Sequence, residues 1–173
     1  MTDLTAKPRN LLDRPDSFGW ASIALHWLSA VLIIVMWFIG KSIHSQPADE
    51  IDAQRSLHIW IGLSAWILLA FRIGWRIWMR HPHIDGQSLR IHRFARIIHY
   101  LMLFTLSLML ISGPILALTF DSQSRLTEMS YMIHSNAANL LFALVILHIL
   151  GALKHLMFHD DDTIVRMLWP KRD

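Results

Sequence analysis

Residues 129–153 read MSYMIHSNAANLLFALVILHILGAL and contain no Asp, Glu, Lys or Arg. About 20 apolar residues span a bilayer as an α-helix, so this run predicts a transmembrane helix. Two histidines, His134 and His148, lie inside it, and an ionisable side chain at membrane depth indicates a functional site. Fourteen residues are nearly four helical turns, so both side chains project from one face, about 21 Å apart along the axis. This spacing suits two metal centres, one near each membrane surface.

Three other stretches lack charged residues in the same way, namely residues 18–40, 56–71 and 97–120. The second is too short to span a bilayer unless Arg72 and Arg76 belong to the helix and extend their charged groups toward water. A soluble bundle would need a charged face on every helix, which these stretches do not have. We therefore predict an all-α, integral membrane four-helix bundle in residues 18–158, with helices at 18–40, 56–79, 97–120 and 129–153 and tails at 1–17 and 159–173.

The ends of the chain and its lack of cysteine narrow the possible chemistry. Seventeen mostly polar residues precede a 23-residue apolar run, which is longer than the core of a signal peptide, so we expect a retained helix. Without cysteine, disulfides, iron–sulfur ligation and covalent haem attachment are excluded.

The basic residues predict the orientation. Most of them lie in the two tails and in the connection between the second and third helices, and only Lys41, Arg55 and Arg125 fall on the other side. The positive-inside rule then places both termini in the cytoplasm. The net charge of +3 reflects this anchoring in the lipid bilayer. Because the charges flank helices and form no recognition helix, binding to nucleic acid is not expected.

Depth along the helices pairs four histidines. With this orientation His26 and His148 lie in the inner half of the membrane, while His58 and His134 lie near the outer surface. Bundle interiors build haem sites from facing side chains, so each pair predicts bis-histidine ligation of one haem b iron. A single intramembrane histidine can instead be a hydrogen-bonded packing residue. A zinc site would need three or four ligands in one cluster, and these histidines form two separated pairs.

Other residues are candidates for supporting roles. Gly62 and Gly151 follow ligand histidines and would let a porphyrin approach the backbone, although glycine also permits close helix packing. His155 lies on the same face as His148 and could contact a quinone or a propionate, or lie at the interface. For His99, which opens the third apolar run, we expect an interfacial role.

Haem propionates would need cationic partners near each membrane surface. The inner candidates are Arg72, Arg76 and Arg96, and the outer candidates are Lys41 and Arg55. Each of them could equally anchor a lipid headgroup.

Several segments resemble the bacterial cytochrome b561 family: IALHWL at 23–28, LHIWIG at 57–62, IHSNAANL at 133–140 and DTIVRM at 162–167. The spacings between His26 and His58 and between His134 and His148 are also similar. The resemblance implies a four-helix bundle in the bacterial inner membrane, with two b haems ligated by His26, His58, His134 and His148 and a quinone site near His155. It is strongest to the type of member that oxidises superoxide at the periplasmic surface and reduces ubiquinone.

These observations lead to one preferred function and two alternatives. The preferred function is electron transfer from superoxide, through two haems, to quinone. The first alternative is a cytochrome subunit that relays electrons from a periplasmic partner dehydrogenase to quinone. The second is a histidine-based metal transporter, for which Gly113-Pro114 would be the helix break. The sequence identifies no catalytic residue, and it leaves open whether Lys41 and Arg55 steer superoxide, since Asp49, Glu50 and Asp52 lie beside them.

Overall fold

Four long α-helices make up most of the computed structural model, which describes residues 11–14, 17–79, 89–122, 124–158 and 164–170. They are α1 (Trp20–Ser42), α2 (Ile51–Trp78), α3 (Leu89–Thr119) and α4 (Arg125–Phe158). Short 3-10 turns lie at Ile43–Ser45, Phe120–Ser122 and Val165–Met167, and the described ranges contain no β-strand beyond an isolated bridge. All four helices are long and apolar enough to cross a membrane. The predicted all-α membrane bundle is therefore confirmed.

The helices extend beyond the charge-free runs that predicted them. For example, α2 begins at Ile51 and includes Asp52 and Arg55 near its start and Arg72 and Arg76 near its end. Backbone hydrogen bonding continues into the interfacial region, where charged side chains reach water while their stems cover apolar surface. The predicted tails lie largely outside the described residues.

Consecutive helices pack against each other, and α1 also contacts α4, so the four helices form a closed up-and-down bundle. Its most deeply packed cluster comes from α2, α3 and α4 and consists of Ala65, Leu69, Leu106, Leu141 and Val145. On α4, the cluster residues Leu141 and Val145 lie between His134 and His148. The apolar core therefore separates two potential sites.

The outward surface of the bundle is apolar. Leu118 is 87% exposed, Ile67 74% and Met157 72%, and many other large hydrophobic side chains share this exposure. A protein surrounded by water rarely exposes so much contiguous apolar surface. Lipid chains are the environment that satisfies it.

The described parts of both tails fold onto one end of the bundle. The Leu11 carbonyl accepts a hydrogen bond from the Ala21 amide (3.1 Å), which is one of the amides that a helix start leaves without a partner. A side chain at Gly19 would collide with the Leu11 carbonyl, so this close approach requires glycine. On the C-terminal side, Trp27 Nε1 donates to the Met167 carbonyl at 2.8 Å. The sequence did not predict these contacts.

Candidate functional site

The first histidine pair, called the His58 pair, consists of His58 on α2 and His134 on α4. The ring centroids are 6.2 Å apart and the ring planes are nearly perpendicular, at 89°. The pairing predicted from helix depth thus brings together two side chains that are 76 residues apart in sequence.

A hydrogen-bond chain from α3 fixes the orientation and tautomer of His134. The Ser112 hydroxyl donates to the Leu108 carbonyl at 2.7 Å. Its oxygen lies 3.2 Å from His134 Nδ1, so the ring nitrogen is the donor in that contact. A proton on Nδ1 leaves Nε2 with a free lone pair, which is the form in which histidine binds a metal.

Two glycines lie directly against the rings of the His58 pair. A Cβ atom at Gly40 would lie 3.0 Å from His58 Cε1, and one at Gly113 would lie 3.1 Å from His134 Cε1. The Nδ1 atom of His58 is buried and has no hydrogen-bond partner among the described residues. An orphaned polar atom of this kind requires an explanation, and a group held by this pair would supply one.

The second pair, called the His26 pair, consists of His26 on α1 and His148 on α4. Its ring centroids are also 6.2 Å apart, with an angle of 64° between the planes. The ring of His99, on α3, lies 5.0 Å from that of His148. We expected an interfacial role for His99, and its place beside the pair could not be read from its position at the start of an apolar run.

Both spacings fit a metal held between two imidazoles. A metal–imidazole bond is about 2 Å long, so rings that bind one metal from opposite sides have centroids about 6 Å apart. No group of three or more His, Asp or Glu side chains in the described part of the chain is arranged to hold a metal ion. The donors available are thus two facing pairs, the ligand set of a bis-histidine haem.

A polar network lies next to the His26 pair. Asp13 accepts hydrogen bonds from the Gly19 amide and the Ser22 hydroxyl, both at 2.8 Å. Ser22 in turn accepts one from Trp75 Nε1 at 2.7 Å. The carboxylate of Asp13 also acts electrostatically on two half-buried arginines of α2, Arg72 and Arg76.

The arginines are next to the histidines, as the propionate prediction requires. Arg72 Nη2 lies 3.3 Å from His26 Nδ1, and both arginines line a small cleft with Asp13 and Ser22. A guanidinium only donates, so Nδ1 of His26 is the acceptor in this contact. Two cations facing one carboxylate leave an excess positive charge at this end of the bundle.

The remaining predicted residues lie elsewhere. Gly62 faces Met36, whose Cε atom would be 3.2 Å from an added Cβ, and nothing lies within 4 Å of Gly151, so neither contacts a histidine ring. The side chain of His155 lies outside the described residues. Arg55 pairs with Asp52 at 2.7 Å.

In the described part of the chain, the two predicted outer cations, Lys41 and Arg55, contact aromatic rings and not the histidines. The Arg55 guanidinium lies 4.2 Å from the centroid of the Phe120 ring. Lys41 Nζ lies 5.8 Å from the Trp37 ring. Both side chains therefore reach the end of the bundle that contains the His58 pair, but neither forms a contact with its histidines among those described.

A four-helix membrane bundle with facing histidines at both ends has the design of a membrane-bound b-type cytochrome. The chain belongs to the prokaryotic cytochrome b561 family, which it matches over residues 17–170. It is also similar to cytochrome b561 homolog 2 of Escherichia coli (strain K12), with 27% identity over 176 residues, covering 89% of this chain and 92% of that protein.

Family membership establishes the general function. This is a multi-pass protein of the bacterial inner membrane that binds haem b and takes part in electron transfer. The family resemblance seen in the sequence is confirmed at this level.

Proposed function

We propose that the protein holds two b haems and transfers electrons across the inner membrane from superoxide, on the periplasmic side, to quinone on the cytoplasmic side. The observation that carries this proposal is the presence of two histidine pairs, each with centroids 6.2 Å apart, on opposite sides of the apolar core. One site would serve a single surface, whereas two sites at different depths suit transfer between surfaces.

The four paired histidines and Ser112 have defined roles in this proposal. His58 and His134 would hold one haem, and His26 and His148 the other. A bound haem b supplies one-electron chemistry, and the chain provides axial ligation, hydrogen bonding and a low-dielectric surrounding that adjust its potential. Ser112 keeps Nε2 of His134 available for the iron.

Arg72 can donate its hydrogen bond to His26 Nδ1 only while no proton is on that nitrogen. If His26 binds iron through Nε2, its Nδ1 carries a proton and can no longer accept the hydrogen bond from Arg72. The guanidinium is then available for an anion, and a propionate is the group we propose for Arg72 and Arg76. His155 stays the proposed quinone contact.

The proposed direction follows from the positive-inside rule, which puts the His26 pair on the cytoplasmic side and the His58 pair on the periplasmic side. Electron entry at the His58 pair then needs a donor that reaches the periplasmic end of α2 and α4. Superoxide is a small anion, and a positive electrostatic potential at the periplasmic surface would be enough to speed its encounter with this site.

The charge at that end supports a second candidate function. Lys41 near the end of α1 and Arg55 near the start of α2 are cations at this end, but Asp49, Glu50 and Asp52 accompany them, and Arg55 is already paired with Asp52. An excess of carboxylates repels a small anion and attracts a basic protein surface. This observation favours the alternative of a cytochrome that relays electrons from a periplasmic partner to quinone.

Spectroscopy of the purified protein separates the two functions. We expect the oxidised protein in detergent to be reduced by a calibrated superoxide flux, to lose this reduction when superoxide dismutase is present, and to be reoxidised by a soluble ubiquinone analogue. Protein that dithionite reduces but superoxide does not would contradict the superoxide proposal and leave the relay.

A matched Lys41→Gln/Arg55→Gln variant should be reduced by superoxide several-fold more slowly, because steering raises encounter rates by about 10-fold or more.

Removing the charge of Asp13 should change the midpoint potential only of the haem held by the His26 pair. Asn at this position keeps the size of the side chain but removes the negative charge that acts on Arg72 and Arg76. A more positive surrounding favours the reduced haem, so potentiometric titration of Asp13→Asn should show a raised midpoint potential for the haem of the His26 pair alone. Asp52→Asn, at the opposite end, is the control and should leave that potential unchanged. An equal shift of both haems in Asp13→Asn would contradict a local role.

A further inference from the structure

Pro114 interrupts the hydrogen bonding of α3 without ending the helix, which runs from Leu89 to Thr119. Proline has no amide hydrogen, so the carbonyl four residues earlier, that of Leu110, loses its partner within the helix. At membrane depth no water is present to replace that partner, and a neighbouring helix has to supply one.

Trp66 of α2 supplies the missing donor. Its Nε1 atom donates to the Leu110 carbonyl at 2.8 Å. The described serine and threonine hydroxyls of α3 do not serve this carbonyl, because each bonds a carbonyl of its own preceding turn, as Ser112 does with Leu108. The bond therefore links α2 to α3 at the position where α3 would otherwise have an unsatisfied acceptor.

This link lies next to the contacts of His134. Ser112, whose oxygen accepts from His134 Nδ1, and Gly113, which lies against the same ring, follow Leu110 within one turn. The other ligand, His58, lies about two turns before Trp66 on α2. The segment 110–114 thus connects the helix of one histidine to the surroundings of the other.

We infer that Trp66 is a positioning residue for the His58 pair, because its hydrogen bond to the carbonyl freed by Pro114 fixes Ser112 and Gly113 against His134. The transporter interpretation of Gly113-Pro114 is not needed, because the carbonyl that Pro114 frees already has a hydrogen-bond partner. In the transporter interpretation the freed carbonyl would face a cavity, whereas here it bonds an indole.

A double-mutant cycle tests the hydrogen-bond part of this inference without reference to haem. In the Pro114 background, Trp66→Phe should lower the apparent melting temperature in detergent by about 3–5 °C, because an acceptor in an apolar surrounding without water is left unpaired. In a Pro114→Ala background the new amide satisfies Leu110 within the helix, so Trp66→Phe should change it by about 1 °C or less. Trp60→Phe is the matched control, since Trp60 is 70% exposed on the same helix. Equal losses in both backgrounds would overturn the inference.

A second readout tests positioning and rests on the proposed two-haem function. Low-spin electron paramagnetic resonance of the haem held by the His58 pair should shift in Trp66→Phe, return toward the parent signal in Trp66→Phe/Pro114→Ala, and leave the signal of the His26 pair unchanged. Equal shifts at both haems, or no shift, would overturn the positioning role. A protein without haem would overturn the proposed function while the stability cycle still reports on the hydrogen bond. If Trp66→Phe does not fold, the double variant decides, because failure to recover folding contradicts the inference.

Discussion

Replacing His134 with alanine is expected to reduce the haem b content of the purified protein from two haems per chain to one. A bis-histidine site needs both imidazoles, and His58 alone would leave the iron with one axial ligand from the protein. The site would also lose the hydrogen bond between His134 and Ser112 of α3. The haem content is measured as the pyridine haemochrome per polypeptide, and the spectrum should retain only the signal of the His26 pair.

Two matched variants complete this test. His148→Ala should remove the other haem and leave the signal of the His58 pair. His44→Ala is the control, because the described contact of His44 is a 3.3 Å hydrogen bond with Tyr131 and not with either pair. Two bound haems in His134→Ala, or a loss of haem in His44→Ala, would contradict the proposal that the paired histidines are the axial ligands.

Replacing Gly40 with valine is expected to weaken haem binding at the His58 pair without removing a ligand. A Cβ at this position would lie 3.0 Å from Cε1 and 3.4 Å from Nδ1 of His58, so the ring has to move even for alanine. The additional methyl groups of valine increase the displacement. Core sites tolerate small shape changes but are destabilised by overpacking, typically by about 1–3 kcal/mol. A loss of that size in the bound state lowers haem affinity by about 5-fold to 150-fold.

The glycine experiment has internal controls along the same chain. Gly113→Val should act on His134 as Gly40→Val acts on His58, because its Cβ would lie 3.1 Å from His134 Cε1. Gly74→Val should bind both haems normally, since nothing lies within 4 Å of an added Cβ there. Haem titration of the apoprotein, followed by absorbance, measures the affinity of each variant. Full affinity in Gly40→Val would contradict the close approach that the structure shows.

Parts of the site could be found from the sequence because depth in a membrane is a one-dimensional quantity. A long run without charged residues predicts a transmembrane helix, since backbone groups in lipid must form hydrogen bonds within their own segment. The position of each histidine in its run then fixes its depth, because each residue adds about 1.5 Å. This reasoning placed His26 with His148 and His58 with His134, and the structure brings both pairs to 6.2 Å.

The same reasoning could not identify lateral neighbours. It pointed to Gly62 and Gly151, which follow histidines in sequence, whereas Gly40 and Gly113 lie against the rings from other helices. Depth does not show how a helix is rotated about its axis or which helix lies beside it. Those properties depend on side-chain packing across the bundle, which fixes the crossing and rotation of each pair.

By itself, then, the sequence determined the four transmembrane helices, the pairing of the histidines and the family resemblance. Only the tertiary structure decided which groups surround the pairs: the hydrogen bond from His134 to Ser112, the contact of His99 with His148, and the bond from Trp66 to the carbonyl freed by Pro114. The physical reason is that apolar length and helical rise are properties of one segment. A hydrogen bond or a close approach between helices exists only after those helices have packed.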